Sequence, residues 1–145
     1  MLTFIFTLLP VLLLASAPDS AGSPENVVVV QLTGFSSIEG FARLAVFDSE
    51  EFWPEDIDFA VRRVTAGLTA DTLEMVIEGL EPGSYSMAVF HDRDGDAVFD
   101  RNLFGVPTED YGFSNNVRGR TGPPDFLDAL VVLTGDTLRL EIELK

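Results

Sequence analysis

Hydrophobic and polar residues alternate with a period of two along much of the chain. The clearest case is DTLRLEIELK at 136–145, where leucine and isoleucine alternate with mostly charged residues, and TLEMVIEG at 72–79 repeats the pattern. Because successive side chains of a strand point to opposite faces, this alternation predicts strands with one buried face. Five further segments have strand character: 27–34, 41–48, 59–66, 84–91 and 126–133.

Seven short strands within about 120 residues, joined mostly by turn-forming residues, predict an all-β protein built as an antiparallel β-sandwich. A small β-barrel is the alternative architecture. No segment has a sustained helical period, although SEEFWPED (49–56) could form one short turn.

A turn between two predicted strands narrows the fold class. Leu80, Pro82-Gly83 and Tyr85 form the pattern L-x-P-G-x-Y, which resembles a turn common in immunoglobulin-like and transthyretin-like sandwiches. In such turns the tyrosine packs across the turn and its hydroxyl group bonds to the backbone. We therefore expect a structural role for Tyr85 and a sandwich of this general kind.

One long segment, residues 92–125, has no strand periodicity. Its 34 residues include Phe99, Leu103, Phe104 and Tyr111 among other apolar side chains. Structureless loops longer than about 12–15 residues are uncommon in compact domains. The apolar content predicts an ordered loop packed over one end of the sandwich.

Composition limits the partners of the chain. Its 145 residues suit a single domain, and 24 acidic against 9 basic residues give a formal net charge of −15. Such a surface repels phosphate backbones and anionic lipid, which argues against nucleic-acid binding, whereas it suits cations. The absence of cysteine excludes disulfides and thiolate metal sites.

The N-terminus predicts export. An apolar run is followed by Ala15-Ser16-Ala17, which has the A-x-A form of a signal cleavage site. Residues 1–22 are therefore interpreted as a signal peptide and residues 23–145 as one domain, periplasmic or extracellular and without a stable membrane span. The alternative, an uncleaved anchor, is disfavoured because the run is shorter than the roughly 20 residues a span needs and contains Pro10. Removal of one acid, Asp19, leaves a net charge of −15 + 1 = −14.

The long loop begins with carboxylates at the spacing of a calcium loop. Asp92, Asp94, Asp96 and Asp100 occupy positions one, three, five and nine, and Val98 occupies position seven, which supplies a backbone carbonyl in EF-hand loops. A tight turn directs alternate side chains inward, so these carboxylates converge. A hard cation bound between them would offset their mutual repulsion, and we expect no hydrogen-bond donor of the protein to do so. The spacing predicts a structural Ca²⁺ site; the alternative is a solvated Asp/Gly turn.

Two departures exclude an EF-hand domain. Position six is Ala97 instead of glycine, and position twelve is Leu103 instead of the bidentate glutamate. No flanking helix is predicted either. A calcium loop carried by a β-scaffold remains open, and Mg²⁺ fits less well because its geometry is more exacting.

The segment from residue 79 to 129 strongly resembles the bacterial family known as domain of unknown function 2141. The shared pattern is P-G-x-Y-x-x-x-x-F-H-D, then G-x-P-x-E-x-Y-G-F-S-N-N, then G-P-P-x-F. The resemblance implies an exported β-sandwich and no particular reaction. Family loops have glycine where this chain has Ala97; if that position needs positive φ, alanine adds strain of about 1 kcal/mol.

The remaining candidate residues for ligand binding surround this loop: His91, Tyr111, Phe113, Asn115, Asn116 and Arg118. His91 is expected to bond to the long loop, and the asparagines to cap backbone groups. Three hypotheses follow. The favoured one is a non-catalytic exported domain with a calcium-ordered loop and an unknown protein or glycan partner. The others are a carbohydrate-binding module that uses residues 111–120 and a hydrolase that uses His91.

Overall fold

The structure, a computed structural model, describes residues 26–145, so the predicted signal peptide lies outside the described residues. Within them the chain forms short 3₁₀ turns and eight strands and has no α-helix. The strands are β1 (Val28–Thr33), β2 (Phe41–Phe47), β3 (Arg62–Gly67), β4 (Leu73–Ile77), β5 (Gly83–Asp92), β6 (Tyr111–Phe113), β7 (Val131–Leu133) and β8 (Leu138–Glu143). No helix in this part of the chain is long and apolar enough to cross a bilayer.

The strands form two sheets, which confirms the predicted β-sandwich. The first sheet has the order β4-β1-β8, and the second has β3-β2-β5, with β6 and β7 both pairing with the far side of β5. The pairings are antiparallel with one exception, because β1 and β8 run parallel. The sandwich is thus mostly antiparallel, and the parallel β1–β8 pair is the one departure from the predicted arrangement.

The alternating pattern places the core between the sheets. Met75 and Ile77 of β4 are buried, whereas Val76 between them is 49% exposed. Ile142 of β8 and Leu144 just beyond it are almost fully buried, as the alternation predicts. They pack with residues of β1, β2 and β5 in one apolar cluster.

The sequence prediction missed β6 and misplaced β7. β6 has only three residues, including Gly112, so no alternation could reveal it; pairing with residues 88–90 of β5 specifies it instead. In the predicted strand 126–133, only Val131–Leu133 is extended. The preceding residues form turns, in which Asp128 donates to the Asp125 carbonyl and Leu130 to the Leu127 carbonyl.

The third strand was also predicted too early. A 3₁₀ turn occupies Ile57–Phe59, and β3 begins at Arg62. The short turn expected within 49–56 is present as a 3₁₀ turn at Glu50–Phe52, where the Ser49 side chain accepts a hydrogen bond from the Glu51 amide.

Tyr85 has the structural role expected of it. Its ring lies in the core and its hydroxyl group donates to the Glu81 carbonyl at 2.7 Å. This bond fixes the turn that precedes β5 and so orients the strand that carries the acidic loop.

The long loop packs on the outer face of the second sheet. Phe99 contacts Phe90 of β5 at 5.4 Å between ring centroids and Tyr111 of β6 at 5.5 Å. Farther along that face, Phe126 packs with Ala45 and Phe47. These contacts cover part of the outer face of the second sheet, and the acidic loop (residues 92–110, the first part of the long loop) begins at Asp92, the last residue of β5.

Candidate cation site

Asp92, the last residue of β5, anchors the acidic loop. Its carboxylate is fully buried, and Oδ1 accepts a hydrogen bond from the Gly95 amide at 2.8 Å. Oδ2 accepts from the Ala97 amide at 3.1 Å and from Nε of Arg43 at 2.5 Å. Burial acts to raise the pKa of Asp92, but the hydrogen bonds from Arg43, Ala97 and Gly95 outweigh it and hold the pKa below its usual value. Asp92 is therefore an ionised group with most of its acceptor sites occupied.

Arg43 was not foreseen as a partner of this loop. It lies on β2 opposite Phe90, two register positions from the Phe41–Asp92 pair and therefore on the same face, so its side chain reaches Asp92 across the outer face of the sheet. The expectation that no protein donor offsets the carboxylates was wrong for Asp92. Pairing the two predicted strands antiparallel was the one signal in the sequence that pointed to Arg43.

The next two aspartates turn the loop back on itself. Oδ1 of Asp94 accepts from the Asp96 amide at 3.2 Å, and Oδ1 of Asp96 accepts from the Val98 amide at 2.8 Å. Carboxylate oxygens of Asp92, Asp94 and Asp96 lie within 4.8 Å of one another. The alternate spacing thus brings these three groups together, as the sequence predicted, while the Val98 side chain is 56% exposed.

Glu109 joins the site from the far end of the loop. Carboxylate oxygens of Asp94, Asp100 and Glu109 form a second group within 4.8 Å, so Asp94 belongs to both groups. Glu109 is only 5% exposed, and its two oxygens accept from the amides of Arg93 at 3.1 Å and Asp100 at 3.2 Å. Spacing could not find Glu109, although it is the glutamate of the G-x-P-x-E pattern.

Together these residues form two groups of clustered carboxylates with a shared member, Asp94. Hard oxygen ligands of this kind suit Ca²⁺, which takes 6–8 oxygens in flexible geometry, better than Mg²⁺. Glu109 lies outside the D-x-D-x-D spacing, and its carboxylate takes the place that the position-twelve glutamate has in an EF-hand. The arrangement can hold a cation; its carboxylates are tied to backbone amides, which favours a structural over a catalytic use.

Ala97 has a positive φ, a conformation that the glycine found at this position in the family would adopt without strain. Its φ is 66°, and its amide bonds to Asp92, so the loop geometry imposes this conformation. We expect Ala97→Gly to raise the free energy of unfolding by about 1 kcal/mol, because glycine removes the strain of a left-handed alanine. Urea unfolding in metal-free buffer measures this change. A destabilised Ala97→Gly protein would contradict the strain interpretation.

His91 lies on the inner side of β5 and is fully buried. Its Nε2 is 2.7 Å from the Glu39 carbonyl, and its Nδ1 is 3.4 Å from Oδ2 of Asp110 in the long loop. Asp110 also accepts from the Ser36 amide at 2.8 Å. Burial acts to raise the pKa of Asp110, while bonds from Ser36 and His91 lower it overall. His91 thus contacts the long loop, as expected, and also the segment at Glu39, and its burial is unfavourable for contact with a substrate.

The two aromatic candidates anchor the end of the long loop. Phe113 is 7% exposed and contacts Trp53 at 5.5 Å, and Tyr111 contacts both Phe113 and Phe99. The amide and carbonyl groups of Tyr111 pair with those of Lys145. Tyr111 therefore joins the edge of the second sheet to the chain just beyond β8.

The polar candidates bond to backbone groups of neighbouring segments. Asn115 donates to the carbonyls of Asp128 and Leu130, and Asn116 both donates to Glu141 and accepts from Glu143 on the edge of β8. Arg118 donates to the Tyr111 and Glu143 carbonyls, with its guanidinium 5.4 Å from the Tyr111 ring centroid. The asparagines cap backbone groups, although on neighbouring segments and not within their own turn.

The comparison with family models matches residues 30–141 to the family described as uncharacterized protein conserved in bacteria (DUF2141). The chain belongs to this family. The match runs from within β1 to within β8 and includes the acidic loop and the Y-G-F-S-N-N motif. No curated protein and no solved structure matches the chain. Family membership accounts for the sequence pattern of the loop but assigns no activity to it.

Proposed function

We propose that this member of the uncharacterized bacterial family is an exported, non-catalytic β-sandwich whose acidic loop binds one calcium ion. The observation that carries the proposal is the position of Asp94, whose carboxylate belongs to both groups of clustered carboxylates. The ion would bind between them and tie the start of the loop, at Asp92, to its far arm at Glu109. The role of the ion would be to order the long loop, residues 92–125.

The charge of the site supports a divalent cation. Arg43 compensates Asp92, but Asp94, Asp96, Asp100 and Glu109 have no cationic side chain within 4.0 Å among the described residues. Clustered carboxylates repel each other, and a cation bound at 2.3–2.6 Å from their oxygens converts that repulsion into attraction. The domain charge of −14 also attracts cations over longer distances.

The loop tip supports a partner-facing role. Leu103 and Phe104 are 102% and 91% exposed, yet their turn is well defined. The Asn102 side chain accepts from the amides of Phe104 and Val106, and the Asn102 amide donates to the Val106 carbonyl. Two adjacent large apolar side chains displayed on a fixed turn favour contact with another protein over free exposure to water.

A carbohydrate-binding module that uses residues 111–120 is the second candidate. The part-exposed ring of Tyr111 favours it, since sugars stack on such rings. Against it, the amide groups of Asn115 and Asn116 and the guanidinium of Arg118 already bond to backbone groups. Loss of glycan binding in a folded Tyr111→Ala protein would support this alternative.

Calorimetric titration of the domain 23–145 with calcium tests the main proposal. We expect one ion per chain and a higher melting temperature in calcium than in EDTA, because an ion bound only to the folded state stabilises it by mass action. Asp94→Ala should abolish both effects, since it removes the carboxylate shared by the two groups.

Asp71→Ala is the matched control, because Asp71 is exposed and lies in the turn before β4. It removes the same charge and should leave stoichiometry and the melting shift unchanged. An identical melting temperature in EDTA and in excess calcium would contradict the calcium proposal. Export is tested separately: the protein recovered from its host should be extracytoplasmic and should begin near residue 23.

A further inference from the structure

A groove lies over the outer face of the second sheet, on a different part of the surface from the acidic loop. It has a volume of about 530 Å³ and runs between the turn at Glu50–Phe52 and the segment 123–128. Its apolar walls include part-exposed Trp53, buried Pro124 and Leu127, which is 69% exposed. This volume is in the usual range for ligand sites, about 300–1,000 Å³.

The groove is preformed. The indole Nε1 of Trp53 donates to the Pro124 carbonyl at 2.8 Å, which ties one wall to the other. The Ser86 hydroxyl of β5 donates to the Phe126 carbonyl at 2.7 Å and fixes the second wall to the sheet. Trp53 also packs against Phe126 at 5.9 Å between centroids. A ligand would therefore find the walls already in place, which lowers the entropic cost of binding.

The rim of the groove is acidic. Glu50, Asp125 and Asp128 line it and are exposed. None of the three has a lysine, arginine or histidine nitrogen within 4.0 Å in the part of the chain that the structure describes. No basic residue lines the groove. It thus combines apolar walls with three carboxylates that have no counter-charge.

We propose that this groove binds a segment of a partner protein in which lysine or arginine side chains alternate with apolar ones. Apolar side chains of that segment would contact Trp53 and Leu127, and its cations would pair with the rim carboxylates. Charge complementarity decides the class of ligand, since an anionic segment would be repelled and a purely apolar one would leave the rim uncompensated. The inference is independent of calcium binding, because it uses none of the clustered carboxylates of the acidic loop.

Trp53 allows a direct test, because it is the single tryptophan of the chain and lines the groove. The probe is a short blocked peptide that alternates lysine with leucine, titrated into the domain 23–145 at physiological ionic strength. We expect a saturable change in tryptophan fluorescence. The twin peptide with glutamine in place of lysine should give at least about tenfold weaker binding, since it lacks every ion pair with the rim.

Matched variants separate the groove from the net charge. Asp125→Asn with Asp128→Asn should weaken binding of the lysine peptide about fivefold or more. Asp71→Asn with Glu74→Gln removes the same charge from the other side of the sandwich and should change affinity by less than about twofold, because salt screens distant charges. Leu127→Ser should also weaken binding while leaving the protein folded.

Three results would overturn the proposal. The first is no saturable fluorescence change with the lysine peptide. The second is equal binding of the glutamine twin, and the third is equal weakening by the rim pair and the distant pair, which would reduce the effect to overall charge. Circular dichroism of each variant confirms that the comparison is between folded proteins.

Discussion

Arg43→Met is expected to lower the free energy of unfolding by about 2–3 kcal/mol. The substitution keeps the alkyl packing of the side chain but leaves the Asp92 carboxylate, fully buried, with only two backbone amides. Removing one partner of a buried pair costs about 3–5 kcal/mol. The cost expected for Arg43→Met is at or below the lower end of this range because the Arg43 side chain is 26% exposed and its charge is partly solvated. Urea unfolding in metal-free buffer measures the change.

Arg63→Met is the control for this prediction. Arg63 pairs with Asp58 at 3.0 Å, but both side chains are exposed, so its loss should cost less than about 1 kcal/mol. Equal losses for the two arginines would contradict a special role for Arg43. If the calcium proposal is correct, added calcium should recover part of the Arg43→Met loss, since a second cation near Asp92 partly replaces the first.

The cost of Arg43→Met should also depend on pH. Because the folded state lowers the pKa of Asp92, the ion pair contributes stability above the unfolded pKa, near 3.9, and loses it as pH falls through the lower folded pKa. The difference between the two proteins should therefore be full at neutral pH and shrink in acid. A difference that stays constant down to acid unfolding would show that the lost stability is not electrostatic.

Ser114→Ala is expected to destabilise the protein by about 3 kcal/mol. β5 pairs with β7 at residues 83–85 and with β6 at 88–90, so neither strand reaches Met87. The Ser114 hydroxyl occupies this gap, accepting from the Met87 amide at 2.9 Å and donating to the Ala129 carbonyl at 2.5 Å. Alanine would leave two buried backbone groups without partners, each costing about 1–3 kcal/mol.

Thermal and urea unfolding of Ser114→Ala provide the measurement, with Ser37→Ala as the control. The Ser37 hydroxyl is part exposed and accepts only one long bond, from the Glu39 amide at 3.4 Å. Its removal should change stability by less than about 0.5 kcal/mol. A loss below 1 kcal/mol for Ser114→Ala would mean that water reaches the gap.

The sequence was sufficient for the sandwich because burial imposes a period of two on each long strand. Val76, exposed between Met75 and Ile77, illustrates how directly the pattern reports the sheet faces. The sequence was insufficient to predict β6, since a strand of three residues has no detectable period. It also misled at 126–130, where apolar residues cover the second sheet from turns instead of from a strand.

For the candidate site, spacing was sufficient only where the ligand groups are close in the chain. The turn that brings Asp92, Asp94 and Asp96 together is local, so the D-x-D-x-D pattern predicts it. Arg43 and Glu109 reach the same place by strand pairing and by the return of the long loop, which no local pattern encodes. For the S-N-N motif the sequence was misleading. Its polar side chains suggest ligand binding, but in the structure they form hydrogen bonds with backbone groups of neighbouring segments.

The acidic loop is closed at its base and along its two arms. The His91 amide donates to the Asp110 carbonyl and the Thr108 amide to the Asp100 carbonyl. Nearer the tip, the backbones of Arg101 and Pro107 form an isolated antiparallel β-bridge. These contacts make the hairpin from 92 to 110 a unit whose tip has little influence on the sandwich below. Such a unit can vary in length and side chains at its tip, residues 102–106, while the fold of the sandwich is retained.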